Sequence, residues 1–569
     1  MKLPALLVAA VLGATGVVPA SAPVQARPAT YRNPVSAPAA DTFADPAVIR
    51  GNDGSWYAFG TSDPLRAGET TPRLLPILRS PDLVHWTYAG DAFTARPAWA
   101  APTAGLWAPD IRRIAGRYVL YYTVTDTTLN PGEDSAIGVA TAPTPLGPWT
   151  DSGAPVIAPR AAPGGGFLWT FDPAQLTDTE GRSWLYYGSY FGGIWTVPLD
   201  PDGLRVAGTP TQVTIDNRYE GAYVVRRAGW YYLFASAANC CAGPTTGYSV
   251  FAGRSRHPAG PFTDRAGASL LTSRVGGTPV IQQNGNRWIG TGHNSIATDA
   301  AGRDWLVYHA IDRAAPYLNG TEGINRRPML IDPLSWDGGW PSARASETPQ
   351  PAPGTSGRPS TVDTPRVGRV DRRHSEEFDR TALNGWTWTR RDTRATVTGG
   401  ALVWPTQATD LVGPENAAAV LTRPAPAGDY VVETKLTIDL GVDAVRNYQQ
   451  AGLIVYAGDD DFARLTHVAI WNTRQIEFGR ELPYAGRLSY GGAVEGPPAT
   501  TTWLRLAHTT VRGEHRYRAG WSTDGRHWQW GAVWTFAAGT APRIGLVSQG
   551  GAAADPPATA IFDYVRMYR

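Results

Sequence analysis

Five short stretches of the chain pack large apolar residues so densely that no polar face remains, and each begins at a turn containing glycine. They are Gly54-Ser-Trp-Tyr-Ala-Phe-Gly60, Gly116-Arg-Tyr-Val-Leu-Tyr-Tyr-Thr123, Gly181-Arg-Ser-Trp-Leu-Tyr-Tyr-Gly188, Gly229-Trp-Tyr-Tyr-Leu-Phe-Ala235 and Gly302-Arg-Asp-Trp-Leu-Val-Tyr-His309. Runs of this length bounded by turn formers read as buried β-strands. Upstream of each lies a shorter apolar segment carrying one polar residue near its start: Phe43-Ala-Asp45-Pro, Trp107-Ala-Pro-Asp110, Phe171-Asp172-Pro, Tyr219-Glu220-Gly-Ala and Gly292-His293-Asn-Ser. The pairs recur at intervals near and above the roughly 50 residues of one propeller blade. The pattern predicts an all-β, five-bladed β-propeller. The first strand of a blade lines the central channel, so Asp45, Asp110, Asp172, Glu220 and His293 are expected to converge on the axis.

Beyond the fifth pair the pattern changes twice. Residues 342–372 are rich in Pro, Ser and Thr without hydrophobic period and read as an extended linker. From 373 to 569 alternation returns, for example in Asp429-Tyr-Val-Val-Glu-Thr-Lys-Leu-Thr-Ile438 and Trp503-Leu-Arg-Leu-Ala507. An antiparallel β-sandwich is expected there. Trp386, Trp388, Trp528 and Trp530 are its candidate sugar-binding aromatics, although core packing suits most of them as well.

Composition narrows the function. There are 63 glycines, 48 prolines and 22 tryptophans in 569 residues, against a formal net charge of +2. So even a balance leaves no electrostatic footprint for nucleic acid. Lysine occurs only at Lys2 and Lys435, and no phosphate-binding Gly-x4-Gly-Lys loop is present. Residues 1–26 have one basic residue, Lys2, an apolar run from Leu3 to about Val18, and then small-residue patterns ending at Ala22 and Ala26. This reads as a signal peptide, too short for the ~20 residues of a membrane span. The mature protein, residues 27–341 with the linker and sandwich, is expected to be secreted, off the membrane and monomeric. Export favours a disulfide between the adjacent Cys240 and Cys241, a rigid plate at a binding site; two buried thiols are the other reading.

Several carboxyl groups around one pocket suit hydrolysis of a glycosidic bond, because crowding separates their pKa values and supplies an acid and a base at one pH. Trp107, Trp169, Phe171, Tyr190 and Phe191 are placed to stack on sugars. A secreted non-catalytic carbohydrate-binding protein is the competing class, but it has no use for Asp45, Asp172 and Glu220 together.

These motifs, with the closing segment Arg327-…-Asp332-Pro-Leu-x-Trp336-Asp-Gly-Gly-Trp340-Pro341, resemble glycoside hydrolase family 43 over about residues 31–341. The resemblance implies a five-bladed propeller that inverts at the anomeric carbon. By the same resemblance Asp45 is the general base, Glu220 the general acid, and Asp172 the group that orients the acid and raises its pKa. Asp110 becomes a substrate or supporting contact. Arg327 would reach the sugar at the pocket floor. His293 would help hold a central metal, a structural calcium, largely through water; the chemistry itself needs no cofactor. The C-terminal region resembles the concanavalin-like module that follows such propellers. Asn239-Cys240-Cys241-Ala-Gly243 with Tyr248 resembles arabinan-cleaving members, so α-L-arabinofuranosyl linkages in arabinan or arabinose-containing polysaccharides are the expected substrate. A β-xylosidase or another specificity of the family is the alternative, and endo or exo action stays open.

Overall fold

The computed structural model describes Met1 and residues 29–355 and 364–569. The signal-peptide reading, apart from Met1, and the middle of the linker lie outside the described residues. Apart from two 3-10 turns, the regular structure there is β. No helix among the described residues is long and apolar enough to cross a membrane.

Five antiparallel sheets form the propeller. Four have four strands, beginning at Ala47–Arg50, Leu106–Ile114, Ala174–Thr177 and Tyr219–Arg227, and the fifth has three, beginning at Trp288–Thr298. The aromatic runs are second strands in every case: Trp56–Phe59, Arg117–Val124, Ser183–Tyr187, Trp230–Ala237 and Asp304–Asp312. They sit between two neighbours, which is why they carry no polar face. First strands of successive blades touch one another around the whole circle, the first blade meeting the fifth. The circle is also held at its rim, where Thr30–Tyr31 pairs with Gln350–Pro351.

That last pairing changes the picture of the linker. Its first part is not free: Ala343 and Ala345 are buried, the Ser346 N–H donates to Asp332 Oδ2 at 3.3 Å, and the chain then supplies the rim strand. Prolines here fix an extended path over the propeller. At its other end Arg369 and Arg569 exchange backbone hydrogen bonds, which fastens the chain to the sandwich.

Two seven-stranded antiparallel sheets make the sandwich. Its core includes Trp404, Phe478, Leu504, Trp534 and Phe562. Trp386 and Trp388 pack against this core, which accounts for them as structural residues. The sandwich is also docked on the propeller. The Arg313 guanidinium donates to both carboxylate oxygens of Glu514 (2.7 and 2.8 Å), Arg218 Nη1 donates to Gln475 Oε1 at 2.6 Å, and the Ser489 hydroxyl donates to Ala242 O at 3.1 Å. At Gly247 the two backbones are so close that a Cβ would lie 2.0 Å from Gly492 O.

Candidate active site

One backbone device recurs at the axis. Asp45, Ala108, Asp172, Gly221 and His293, one residue per blade, all have positive φ, between 41° and 61°. In blades two, four and five this residue sits at a break in the register between first and second strands. Such a bulge bends the strand and re-aims its side chain. A polar side chain at the end of the preceding blade's second strand secures the turn. Thr61 Oγ1 accepts the Ala108 N–H (2.9 Å), Thr123 Oγ1 that of Asp172 (2.9 Å), and Ser236 Oγ that of His293 (3.0 Å); His309 Nδ1 accepts that of Asp45 (3.2 Å).

Blade four departs from this rule. The Gly221 N–H donates to the Asp172 carboxylate at 2.9 Å, and the Ser189 hydroxyl donates instead to Glu220 Oε2 at 2.8 Å. Tyr248 donates to Glu220 Oε1 at 2.6 Å. Glu220 thus comes from the position before the hub residue, and glycine at 221 leaves room where a side chain would approach His293 (3.3 Å).

These groups surround a cavity of about 680 Å³. Its wall holds Asp45, Asp172, Glu220, His293 and Arg327, with Trp107, Trp169, Phe171, Phe191, Cys240 and Cys241 around the mouth. Trp169 stacks on Phe171 (5.6 Å, 20°), and Trp107 meets Phe171 edge-on at 6.1 Å. Trp107, Trp169 and Phe191 remain 41–46% exposed, an unusual state for such large rings that leaves their faces available. Cys240 and Cys241 are joined as a disulfide, and Asn325 fixes the loop after it by accepting the Gly243 N–H (2.9 Å) and donating to Cys241 O (3.3 Å).

Tyr190, expected at the substrate, and Asp110, expected there or as a supporting contact, do not line the cavity. Asp110 lies two positions past the hub residue Ala108, so its side chain turns into the wall. There it pairs with Arg112 (2.9 Å) and accepts the Gln175 N–H (2.7 Å). The Tyr190 ring also lies in the wall, with its hydroxyl donating to Ala238 O. Conversely, the cavity includes residues the sequence did not single out. Asp63 lies 3.4 Å from Arg327, and Thr61 donates to Asp45 Oδ2 at 2.5 Å.

The carboxyl groups have opposite electrostatics. Burial would raise Asp45, but Arg327, 3.5 Å from Oδ1, and His293, 3.4 Å away, outweigh it and hold the group well below the usual carboxylate range. Glu220 is raised by burial, which its hydrogen bonds from Tyr248 and Ser189 only partly offset. Asp172 is raised well above the usual range by burial and by the charges of Glu220 and Asp45. The cavity therefore places a carboxylate whose ionised form is favoured beside a pair pushed the other way, the direction of difference that acid–base hydrolysis needs.

His293 offers a metal a single ring, itself facing Asp45. Beside it the buried Asn294 amide has no hydrogen-bond partner among the described residues. No group of three or more His, Cys, Asp or Glu able to hold a metal is present among the described residues. Calcium takes about six to eight oxygen ligands. An ion here would have to draw most of them from water.

The sequence profile described as glycosyl hydrolases family 43 matches residues 31–341. The chain belongs to this family. It is a glycoside hydrolase. The chain is 33% identical over 329 residues to the extracellular exo-α-(1→5)-L-arabinofuranosidase ArbA of Cellvibrio japonicus, covering 53% of this chain and 86% of that one. It is 32% identical over 308 residues to the extracellular endo-α-(1→5)-L-arabinanase 1 of Bacillus subtilis, covering 52% and 86%. Among solved structures, the Cellvibrio cellulosa α-L-arabinanase complexed with arabinohexaose is 31% identical, with 53% of this chain and 95% of that chain covered and a TM-score of 0.44. The family match falls on the propeller, the unit that contains the whole cavity wall described above.

Proposed function

We propose that the protein is a secreted, inverting glycoside hydrolase that cleaves α-L-arabinofuranosyl linkages in arabinan or arabinose-containing polysaccharides. The observation that carries the reading is that Asp45, Asp172 and Glu220 line one cavity, Asp45 beside Arg327 at 3.5 Å and Glu220 held by Tyr248 and Ser189, in surroundings that push their pKa values in opposite directions. The arabinan-directed names of both curated relatives support the substrate, and the word extracellular in each supports secretion, as does the apolar N-terminal run.

In this mechanism the Asp45 carboxylate removes a proton from water as the water oxygen bonds to the anomeric carbon. The bond from that carbon to the glycosidic oxygen breaks on the opposite face, and Glu220 delivers its proton to the departing oxygen. The products are a sugar of inverted configuration and a free hydroxyl. Asp45 ends protonated and Glu220 ionised, and exchange with solvent restores both. Asp172 binds the Gly221 N–H, which orients the segment bearing the acid, and its proximity disfavours a second negative charge. Arg327 stabilises the Asp45 charge and is positioned to bind sugar hydroxyls. The exposed rings and the disulfide form the apolar walls on which furanose faces rest.

Hydrolysis of debranched arabinan and of aryl α-L-arabinofuranosides tests this, with aryl β-D-xylosides as control. Arabinose or arabino-oligosaccharide release supports the reading. Turnover of the xyloside alone contradicts the substrate, and no turnover of any glycoside contradicts the roles of Asp45 and Glu220.

A further inference from the structure

We propose that Trp471 and Tyr448, on the edge of the β-sandwich, form an aromatic platform that carries the polysaccharide chain where it leaves the catalytic cavity. The proposal rests on the function given above and adds a binding subsite outside the propeller.

Three independent observations meet at this pair. First, both rings are in water: Trp471 is 50% and Tyr448 48% exposed, and Val442 and Val445 beside them are 50% and 47% exposed. Patches of this kind mark binding surfaces, because burying such side chains in the core would be more stable. Secondly, both residues have left-handed backbone, φ 50° at Trp471 and 65° at Tyr448. Trp471 is the first of two residues in the hairpin turn closed by the Ile470–Thr473 pair. A turn with positive φ at that point favours glycine, since a Cβ strains it. The chain therefore holds a large ring at a position where folding favours none, and strain of this type clusters at functional sites. The main chain that carries the rings is held: the backbone N–H of Trp471 donates to Asn447 Oδ1 (2.7 Å) and that of Tyr448 to Ala469 O (2.8 Å), and the two rings meet edge-on at 6.3 Å.

Thirdly, the segment that carries the platform is hydrogen-bonded to the segment that carries the cavity mouth. Asn472, next to Trp471, donates to Asp216 Oδ1 at 2.7 Å and accepts from Asn217 Nδ2 at 3.2 Å. The Asn217 N–H in turn donates to Tyr190 O at 2.5 Å, and the next residue, Phe191, is an exposed ring of the cavity mouth. Exposed rings thus stand on either side of this hydrogen-bonded bridge, Trp169 and Phe191 on the propeller and Trp471 and Tyr448 on the sandwich. Rings that stack on the CH faces of sugars suit a neutral glycan chain, and the asparagine amides, bonded to one another and to Asp216, hold the two ring pairs in relation to each other.

The test uses the full chain with Trp471→Ala and Tyr448→Ala. For each, kcat/KM on long-chain arabinan is expected to fall about 3- to 10-fold, through KM, while turnover of an aryl arabinofuranoside stays within about twofold. Trp471→Gly, which relieves the turn, should lose polymer affinity equally while melting higher than Trp471→Ala. Unchanged KM for the polymer in both alanine variants would overturn the proposal. Affinity electrophoresis through gels of arabinan and of xylan reads binding without turnover, so it separates this inference from the substrate assignment. Retardation of the parent protein in either gel, lost in Trp471→Ala, supports the platform; equal migration of parent and variant in both gels overturns it.

Discussion

The Nδ1 atom of His309, in the fifth blade, accepts the backbone N–H of Asp45, in the first, at 3.2 Å, and lies 3.2 Å from its carboxylate as well. The contact that closes the wheel is thus the one that sets the proposed base. His309 is fully buried, stacks on Tyr248 at 5.7 Å, and is pushed by burial down to about 4, so its ring is neutral at working pH. His309→Ala leaves the Asp45 N–H buried without an acceptor, which costs about 1–3 kcal/mol, and opens a void beside it. Urea unfolding should show at least that loss, together with a fall in kcat.

Arg327 governs the acid side of the pH profile. Its guanidinium is the leading charge that keeps Asp45 ionised. In Arg327→Met the Asp45 pKa rises, so the acidic limb of kcat/KM moves to higher pH, and KM is expected to rise with the loss of the proposed sugar contact. The alkaline limb, set by the raised Glu220–Asp172 pair, lies above the ordinary carboxylate range and titrates as a property of the pair. A profile of Arg327→Met that overlays the parent's would contradict this account.

The burial that raises Glu220, the proposed acid, also costs stability. Its pKa is raised on folding, so between its unfolded value and its folded value the native state binds the extra proton. Stability therefore falls as pH rises through that window and stays lower above it. Glu220→Gln removes the penalty. Its melting temperature should exceed the parent's at neutral pH, with the difference shrinking towards pH 4, as thermal melts at both pH values would show.

The sandwich holds the disulfide loop in place. Gly247, six residues after Cys241, touches the backbone of Gly492. Its φ is not in the left-handed region, so Gly247→Ala acts by contact alone, forcing the two domains apart. Calorimetry should show a lower or split melting transition, and KM should rise as the loop loosens.

Much of this architecture is legible in the chain. The five aromatic runs are dense enough to mark second strands, because a strand between two neighbours needs apolar residues on both faces. Asp45, Asp172 and His293 share a phase set by the left-handed hub turn. The phase could not be read from spacing alone at Asp110 and Glu220, which stand two positions after and one before that turn. One departure buries an ion pair and the other creates a carboxyl group at the cavity. The roles of His309 and Thr61 are not legible in the sequence, because a strand-end polar residue gains meaning only from the neighbouring blade it caps. The docking of the linker and sandwich was hidden for a similar reason: Pro-rich segments look alike in sequence whether they cross solvent or lie on a surface.

The most direct test of the account separates donor from base by the leaving group. Glu220→Gln should lose about 10²–10⁴-fold on arabinan but far less on 2,4-dinitrophenyl α-L-arabinofuranoside, whose leaving group departs without a proton. Asp45→Asn should lose activity on both, since both need activated water. Equal losses of Glu220→Gln on the two substrates, or Asp45→Asn at parent rates, would contradict the assignment.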